Sequence, residues 1–104
     1  MAMDTELFLE MLNIDSTSGK EAGFADFLSE RLRTSACRVE KYPVGDGTVN
    51  LLFSWGEPKV VFCSHLDTVP PYIPPTIEEG VVHGRGACDA KGQIFAMYEA
   101  CSML

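Results

Sequence analysis

His65 and Asp67 stand two residues apart in Ser64-His65-Leu66-Asp67-Thr68-Val69-Pro70. In an extended chain that spacing turns both side chains the same way, with their backbones roughly 6.5 Å apart. A neutral imidazole can then bind zinc through one nitrogen while the other donates to the carboxylate, which fixes the tautomer and raises the ring's basicity. The plain alternative is a His-Asp surface pair at a strand end, and the spacing alone does not separate the two. A second cluster is Gly84-Arg85-Gly86-Ala87-Cys88-Asp89-Ala90-Lys91-Gly92. Its glycines permit backbone conformations and close approaches that side chains forbid. Asp89 precedes a helical stripe, where a carboxylate can cap free amides. Its two oxygens also suit it to bridge two metal ions about 3.5–4 Å apart that activate one shared water.

The surrounding pattern indicates how these residues are positioned. Asp4 can accept from the first turn of a helix that carries Glu6, with Leu7, Phe8, Met11 and Leu12 at helical spacing. Ser18-Gly19-Lys20-Glu21 reads as a capping box, followed by a second helix with the stripe Phe24, Phe27, Leu28 and Leu32 and with Arg31 and Arg33 near its negative pole. Arg38 to Val44 alternates polar with apolar up to the turn signal Gly45-Asp46-Gly47. Asn50–Trp55 and Lys59–Cys63 read as an antiparallel pair joined through Gly56-Glu57-Pro58. Within the latter, Val60-Val61-Phe62-Cys63 has no polar face, as expected of a central strand covered on both sides. His65 then lies at that strand's carboxyl end, where open α/β sheets place ligand sites.

Pro70, Pro71, Pro74 and Pro75 make the next stretch an extended loop. Thr76 to Arg85 reads as a hairpin around Glu79-Gly80, and Ile94, Met97, Tyr98, Cys101 and Leu104 form the stripe of a last helix. The expected fold class is α/β, a mixed sheet flanked by helices. The open sheet edges and the apolar face of the last helix lead to the expectation that residues 1–104 are one part of a larger domain.

Composition narrows the function classes. A chain of 104 residues with 46% hydrophobic and 22% charged residues suits one soluble globular core. The net charge of −7 opposes binding to nucleic acid or an anionic membrane surface. The longest unbroken apolar run falls far short of the roughly 20 residues of a membrane helix, and Met1 to Glu10 show no secretory leader, so a cytoplasmic location is expected. Cys37, Cys63, Cys88 and Cys101 form no CxxC pair and are expected as reduced, mostly buried thiols.

SHLDTVP followed by GRGACDAKG resembles the amino-terminal part of the co-catalytic zinc aminoacylase, glutamate carboxypeptidase and acetylornithine deacetylase family. The pairing of the two motifs is far more specific than either alone, and VGDGTVNLL is similar to the family's second strand region. The resemblance implies that His65 ligates one zinc, that Asp67 orients His65 and is the catalytic residue among the three, and that Asp89 bridges both zincs. It assigns no chemistry to Lys91 and Gly92, and Ala90 stands where many members have Asp or Met. It further implies a Glu-Glu pair whose first member is the general base, another carboxylate ligand, a carboxyl-terminal His ligand and a dimerisation domain, none of which is found in this sequence. Glu78-Glu79 precedes Asp89 at a hairpin turn and does not match that pair; His83 reads as a structural residue or a spare ligand, Arg85 as a salt-bridge partner across its loop, and Asp46 as a turn cap.

The expectation is therefore the amino-terminal part of a zinc-peptidase-like catalytic domain, using two zinc ions, or cobalt or manganese in their place. The activity expected from the resemblance is removal of an acyl group from a small N-acyl amino acid, acetylornithine deacetylase-like, with succinyl-diaminopimelate desuccinylase or dipeptidase as alternatives within the family. The expected assembly is a homo-oligomer, with no nucleic-acid or membrane partner. These 104 residues alone are expected to be inactive. A competing expectation from a different class is a truncated, non-catalytic module that self-associates or binds a partner.

Overall fold

Leu7 and Met11, one helical turn apart, turn the same face of the first helix inward, and the rest of the core assembles on them. The computed structural model describes residues 5–45 and 48–103. Helix α1 spans Thr5–Leu12 and α2 spans Glu21–Arg31. Helix α2 buries Phe24, Ala25, Leu28 and Ser29, and Leu32 closes it by donating its backbone N–H to the Leu28 carbonyl. The last helix, α3, spans Lys91–Ser102 and adds Phe95, whose ring lies 5.3 Å from that of Phe8. The core is Leu7, Met11, Phe24, Leu28, Leu32 and Phe95, with Leu51, Phe53, Leu66, Ile94 and Tyr98 packed partly against it.

The strands form two separate antiparallel pairs. Strand β1, Arg38–Gly45, pairs with β2, Thr48–Ser54, in a register that sets Arg38 opposite Ser54 and Tyr42 opposite Asn50. Strands β3, Thr76–Glu78, and β4, Val81–His83, form the expected short hairpin. Its turn residues Glu79 and Gly80 both take positive φ, 50° and 80°, as the tight hairpin turn demands. An isolated parallel bridge joins Thr17 to Thr68. Among the described residues no helix is long and apolar enough to cross a membrane.

Several expectations are corrected by these elements. Strand β2 pairs with β1, not with Lys59–Cys63, and that apolar run is an extended segment outside any strand ladder. Val60, Val61 and Phe62 are 72%, 77% and 55% exposed. A run with no polar face fits a strand covered on both sides, and among the described residues nothing flanks or covers this one. The capping box does not form: the residue ahead of α2 is Lys20 without a side-chain cap bond, and the Glu21 carboxylate reaches back only to the Gly19 N–H at 2.9 Å. Arg33 lies beyond the end of α2. Of the stripe assigned to the last helix, Ile94, Met97, Tyr98 and Cys101 are half-buried, whereas Lys91 and Phe95 are the fully buried residues of α3. All four thiols are free, but only Cys37 is buried; Cys101 is half-buried, and Cys63 and Cys88 are exposed. The roles read for Asp4, Asp46 and Leu104 lie outside the described residues.

Candidate metal site

The His65 segment is held by residues about fifty positions earlier in the chain. Thr68 donates its N–H to the Ser16 carbonyl at 2.9 Å, Ser18 donates its N–H to the Thr68 carbonyl at 3.0 Å, and the buried Ser16 hydroxyl donates to the Leu66 carbonyl at 2.9 Å. Leu66 turns toward the core, which leaves His65 and Asp67 facing solvent on the opposite side.

Asp89 is placed by a loop that folds back on itself. Gly86 has φ +92°, and a Cβ there would lie 3.0 Å from Thr68 Cγ2 and 3.2 Å from the Lys91 side chain. A Cβ on Gly92 would fall 2.4 Å from the Ala87 carbonyl oxygen, so this position admits only glycine. The Asp89–Ala90 and Pro70–Pro71 peptide bonds are cis. Arg85 donates through its backbone N–H to the Ile73 carbonyl at 2.9 Å and through Nε to the Pro71 carbonyl at 3.0 Å, tying the loop to the proline segment by carbonyl bonds where a salt bridge was expected.

Lys91 anchors the same loop from inside. It is 1% exposed, and its Nζ donates to the Met11 and Ile14 carbonyls at 2.8 and 2.6 Å while lying 4.2 Å from the centroid of the Phe24 ring. Tyr72 donates to the neighbouring Leu12 carbonyl at 2.9 Å. Side chains from the site segments thus donate to carbonyls at and just beyond the carboxyl end of α1. Burial lowers the Lys91 pKa to about 8, opposed by the Asp15 charge. Sequence reasoning gave Lys91 and Gly92 no role, since nothing in a Lys-Gly pair announces which distant carbonyls or loop will meet it.

These supports bring His65 and Asp89 face to face. His65 Nε2 lies 3.1 Å from Asp89 Oδ1, and its Nδ1 lies 2.8 Å from the Asp67 backbone carbonyl and 3.3 Å from Asp67 Oδ1. The residue ahead of α3 is Ala90, with no side-chain cap bond, so the Asp89 carboxylate is not occupied in capping. The backbone carbonyl of Asp67 is a partner that residue types could not reveal. A carbonyl oxygen only accepts, so Nδ1 carries a proton and Nε2 turns toward a carboxylate oxygen. Two acceptors 3.1 Å apart repel unless a proton or a cation lies between them. Protonation is favoured accordingly: the His65 pKa is raised above 6.5, chiefly by the bond to the Asp67 carbonyl, with burial opposing and the Asp89 and Asp67 carboxylates adding. A cation suits the same gap, because an imidazole nitrogen and a carboxylate oxygen are both zinc donors with bonds of about 2.0–2.2 Å. The residues fit a metal on this observation.

The other candidates stay apart from this site. His83 sits opposite Thr76 in the β3–β4 hairpin and is exposed, and with Glu78, Glu79 and Val81 it lines a separate surface hollow. Among the described residues no group of three or more His, Cys, Asp or Glu side chains is arranged to hold an ion.

Known proteins are similar to this chain in sequence. The profile of Peptidase family M20/M25/M40 matches residues 61–104, a span that includes His65, Asp67 and Asp89. A Peptidase M20 domain-containing protein of Schizosaccharomyces pombe is 40% identical over 106 aligned residues, covering 92% of this chain and 26% of that protein. A LysW-lysine/LysW-ornithine hydrolase of Sulfurisphaera tokodaii is 38% identical over 104 residues, and one of Saccharolobus islandicus is 36% identical over 99, each covering 95% of this chain and 27% of the relative. The chain therefore spans about a quarter of the length of the curated relatives it matches. No solved structure matches.

Proposed function

Because the chain belongs to peptidase family M20/M25/M40, we propose that it is the amino-terminal part of the catalytic domain of a zinc-dependent amidohydrolase acting on a small N-acyl amino acid. The observation that carries this reading is the 3.1 Å approach of His65 Nε2 to Asp89 Oδ1, with Asp67 occupying the far side of the ring. His65 offers its Nε2 lone pair, Asp67 holds the proton on Nδ1, and Asp89 offers one oxygen beside His65 and a second for a neighbouring ion. A divalent cation held there supplies Lewis-acid polarisation of the scissile carbonyl and makes hydroxide accessible near neutral pH. The exposed faces of His65 and Asp89 leave room for a substrate amide to approach. The remaining donors and the general base would come from the part of the relatives' length that this chain does not span, and on this reading the 104 residues alone are inactive.

The names of two relatives support an amide on a basic amino acid, since both carry lysine and ornithine. Acetylornithine shares that amine half, and N-acylornithine or N-acyllysine is the substrate we propose ahead of succinyl-diaminopimelate and dipeptides. A cytoplasmic homo-oligomer completes the proposal. The test is hydrolysis of N-acetylornithine, N-acetyllysine and dipeptides by the intact protein before and after chelation. Activity should be lost on chelation and restored by zinc, cobalt or manganese; absence of metal-dependent turnover on every acyl amino acid would contradict the proposal.

A second reading, a non-catalytic module that self-associates, is favoured by the uncovered run Val60, Val61 and Phe62. Sedimentation of the 104-residue chain tests this second reading, because a clean monomer at high concentration is incompatible with it.

A further inference from the structure

One side chain from outside the two motifs reaches into the site. Asp15–Ser18 runs beside Leu66–Thr68, joined by the Thr17–Thr68 bridge and the backbone bonds of Ser16 and Ser18 to Thr68. This strap is itself braced, since the Asp15 carboxylate accepts from the Thr17 N–H at 3.0 Å and from its hydroxyl at 2.8 Å. At the strap's exposed end the Ser18 hydroxyl donates to Asp67 Oδ2 at 2.8 Å. The other oxygen, Oδ1, is then the one turned to His65 Nδ1 at 3.3 Å.

We propose that Ser18 is a positioning residue for the metal site, its hydroxyl fixing the rotation of the Asp67 carboxylate so that Asp67 holds the His65 ring toward Asp89. The inference rests on the proposed metal role of His65 and Asp89. The Asp67 side chain is 43% exposed and has water as an alternative partner, so without a directed donor its carboxylate can rotate away from the ring. A hydroxyl bonded to a charged acceptor selects one rotation, and such bonds are about twice as strong as neutral ones. Ser18 is available for this task because α2 starts without a side-chain cap bond. The strap itself is held by backbone groups and by Ser16, so removing the Ser18 hydroxyl leaves its path intact.

The experiment measures zinc affinity of the intact protein by competition with a chromogenic chelator, together with the thermal midpoint of the metal-free form. Ser18→Ala should weaken zinc binding roughly tenfold, the lower end of the range for groups behind a metal ligand. It should shift the metal-free midpoint by less than about 2 °C. Ser18→Thr, which keeps the hydroxyl, should restore affinity to within about twofold of the parent. Zinc binding by Ser18→Ala as tight as the parent's, or equal weakening in Ser18→Ala and Ser18→Thr, would overturn this inference and leave the metal reading standing. A large fall of the metal-free midpoint in both variants would mark Ser18 as part of the fold and overturn it also. A parent protein that takes up no zinc would overturn the metal reading and this inference together.

Discussion

The helical end of the molecule and the Val60–Cys63 segment both present apolar side chains in sequence, yet they meet opposite fates. Leu7, Met11, Phe24, Leu28 and Phe95 find one another and are almost wholly buried, whereas Val60 and Val61 stay more than 70% exposed. The difference lies in where the partners are. Helices α1, α2 and α3 each bring an apolar face, and Tyr72 and Lys91 donate to carbonyls at and just beyond the carboxyl end of α1. An extended run needs a neighbouring backbone on each side and a layer on each face, and among the described residues it has neither. Apolar pattern therefore states how much cover a segment is built for, and only the fold states whether that cover is present.

This contrast is open to direct attack, beginning with the largest effect. Phe95→Ala removes a ring packed on Phe8 at the centre of the helical core and should cost about 3–5 kcal/mol, measured by denaturant unfolding. A loss below about 1 kcal/mol would show that the helices do not form one core.

Lys91→Met is expected to be strongly pH-dependent. It leaves the Ile14 carbonyl without its Lys91 donor, a loss of about 1–3 kcal/mol, and the Met11 carbonyl with the Ile14 N–H at 3.4 Å, but it also relieves the burial of an ammonium group. These effects oppose one another near pH 7, where the variant should differ little from the parent. The unfolded lysine keeps its proton up to about 10.5 while the folded one releases it near 8. Across that window the unfolded state binds more protons, so the parent gains stability over the variant as pH rises, by about 3 kcal/mol in all. A gap that stays constant from pH 7 to about pH 10 would contradict the buried state of Lys91.

Val61→Ser marks the small end of the comparison. At 77% exposure it should change the stability of the 104-residue chain by less than about 0.5 kcal/mol, and a loss of about 2 kcal/mol would reveal a surface covering that segment.

What was legible in the sequence follows the same line. The three helices, the β3–β4 hairpin and the stripes Leu7/Met11 and Phe24/Leu28 were readable because local spacing fixes which face is apolar. His65, Asp67 and Asp89 stood out because of their chemical types and their two motifs, and the fold brings all three to one place. The pairing of β2 was misread because Asn50–Trp55 lies between two β-rich neighbours, and local pattern does not choose between them. Ser18 was misread as a cap because Ser-x-x-Glu also fits a loop whose hydroxyl serves a carboxylate 49 positions away. Lys91 was silent because its partners are carbonyls, which every residue possesses.

The central claim, that the fold turns His65 and Asp89 toward one shared cation, is tested most directly by an anomalous-scattering crystal structure of the zinc-loaded protein. The account predicts a zinc ion bonded at about 2.0–2.2 Å to His65 Nε2 and to an Asp89 oxygen, with Nδ1 still held by Asp67. Zinc bound elsewhere, or a His65 ring ligating through Nδ1 with Asp89 turned away, would contradict it.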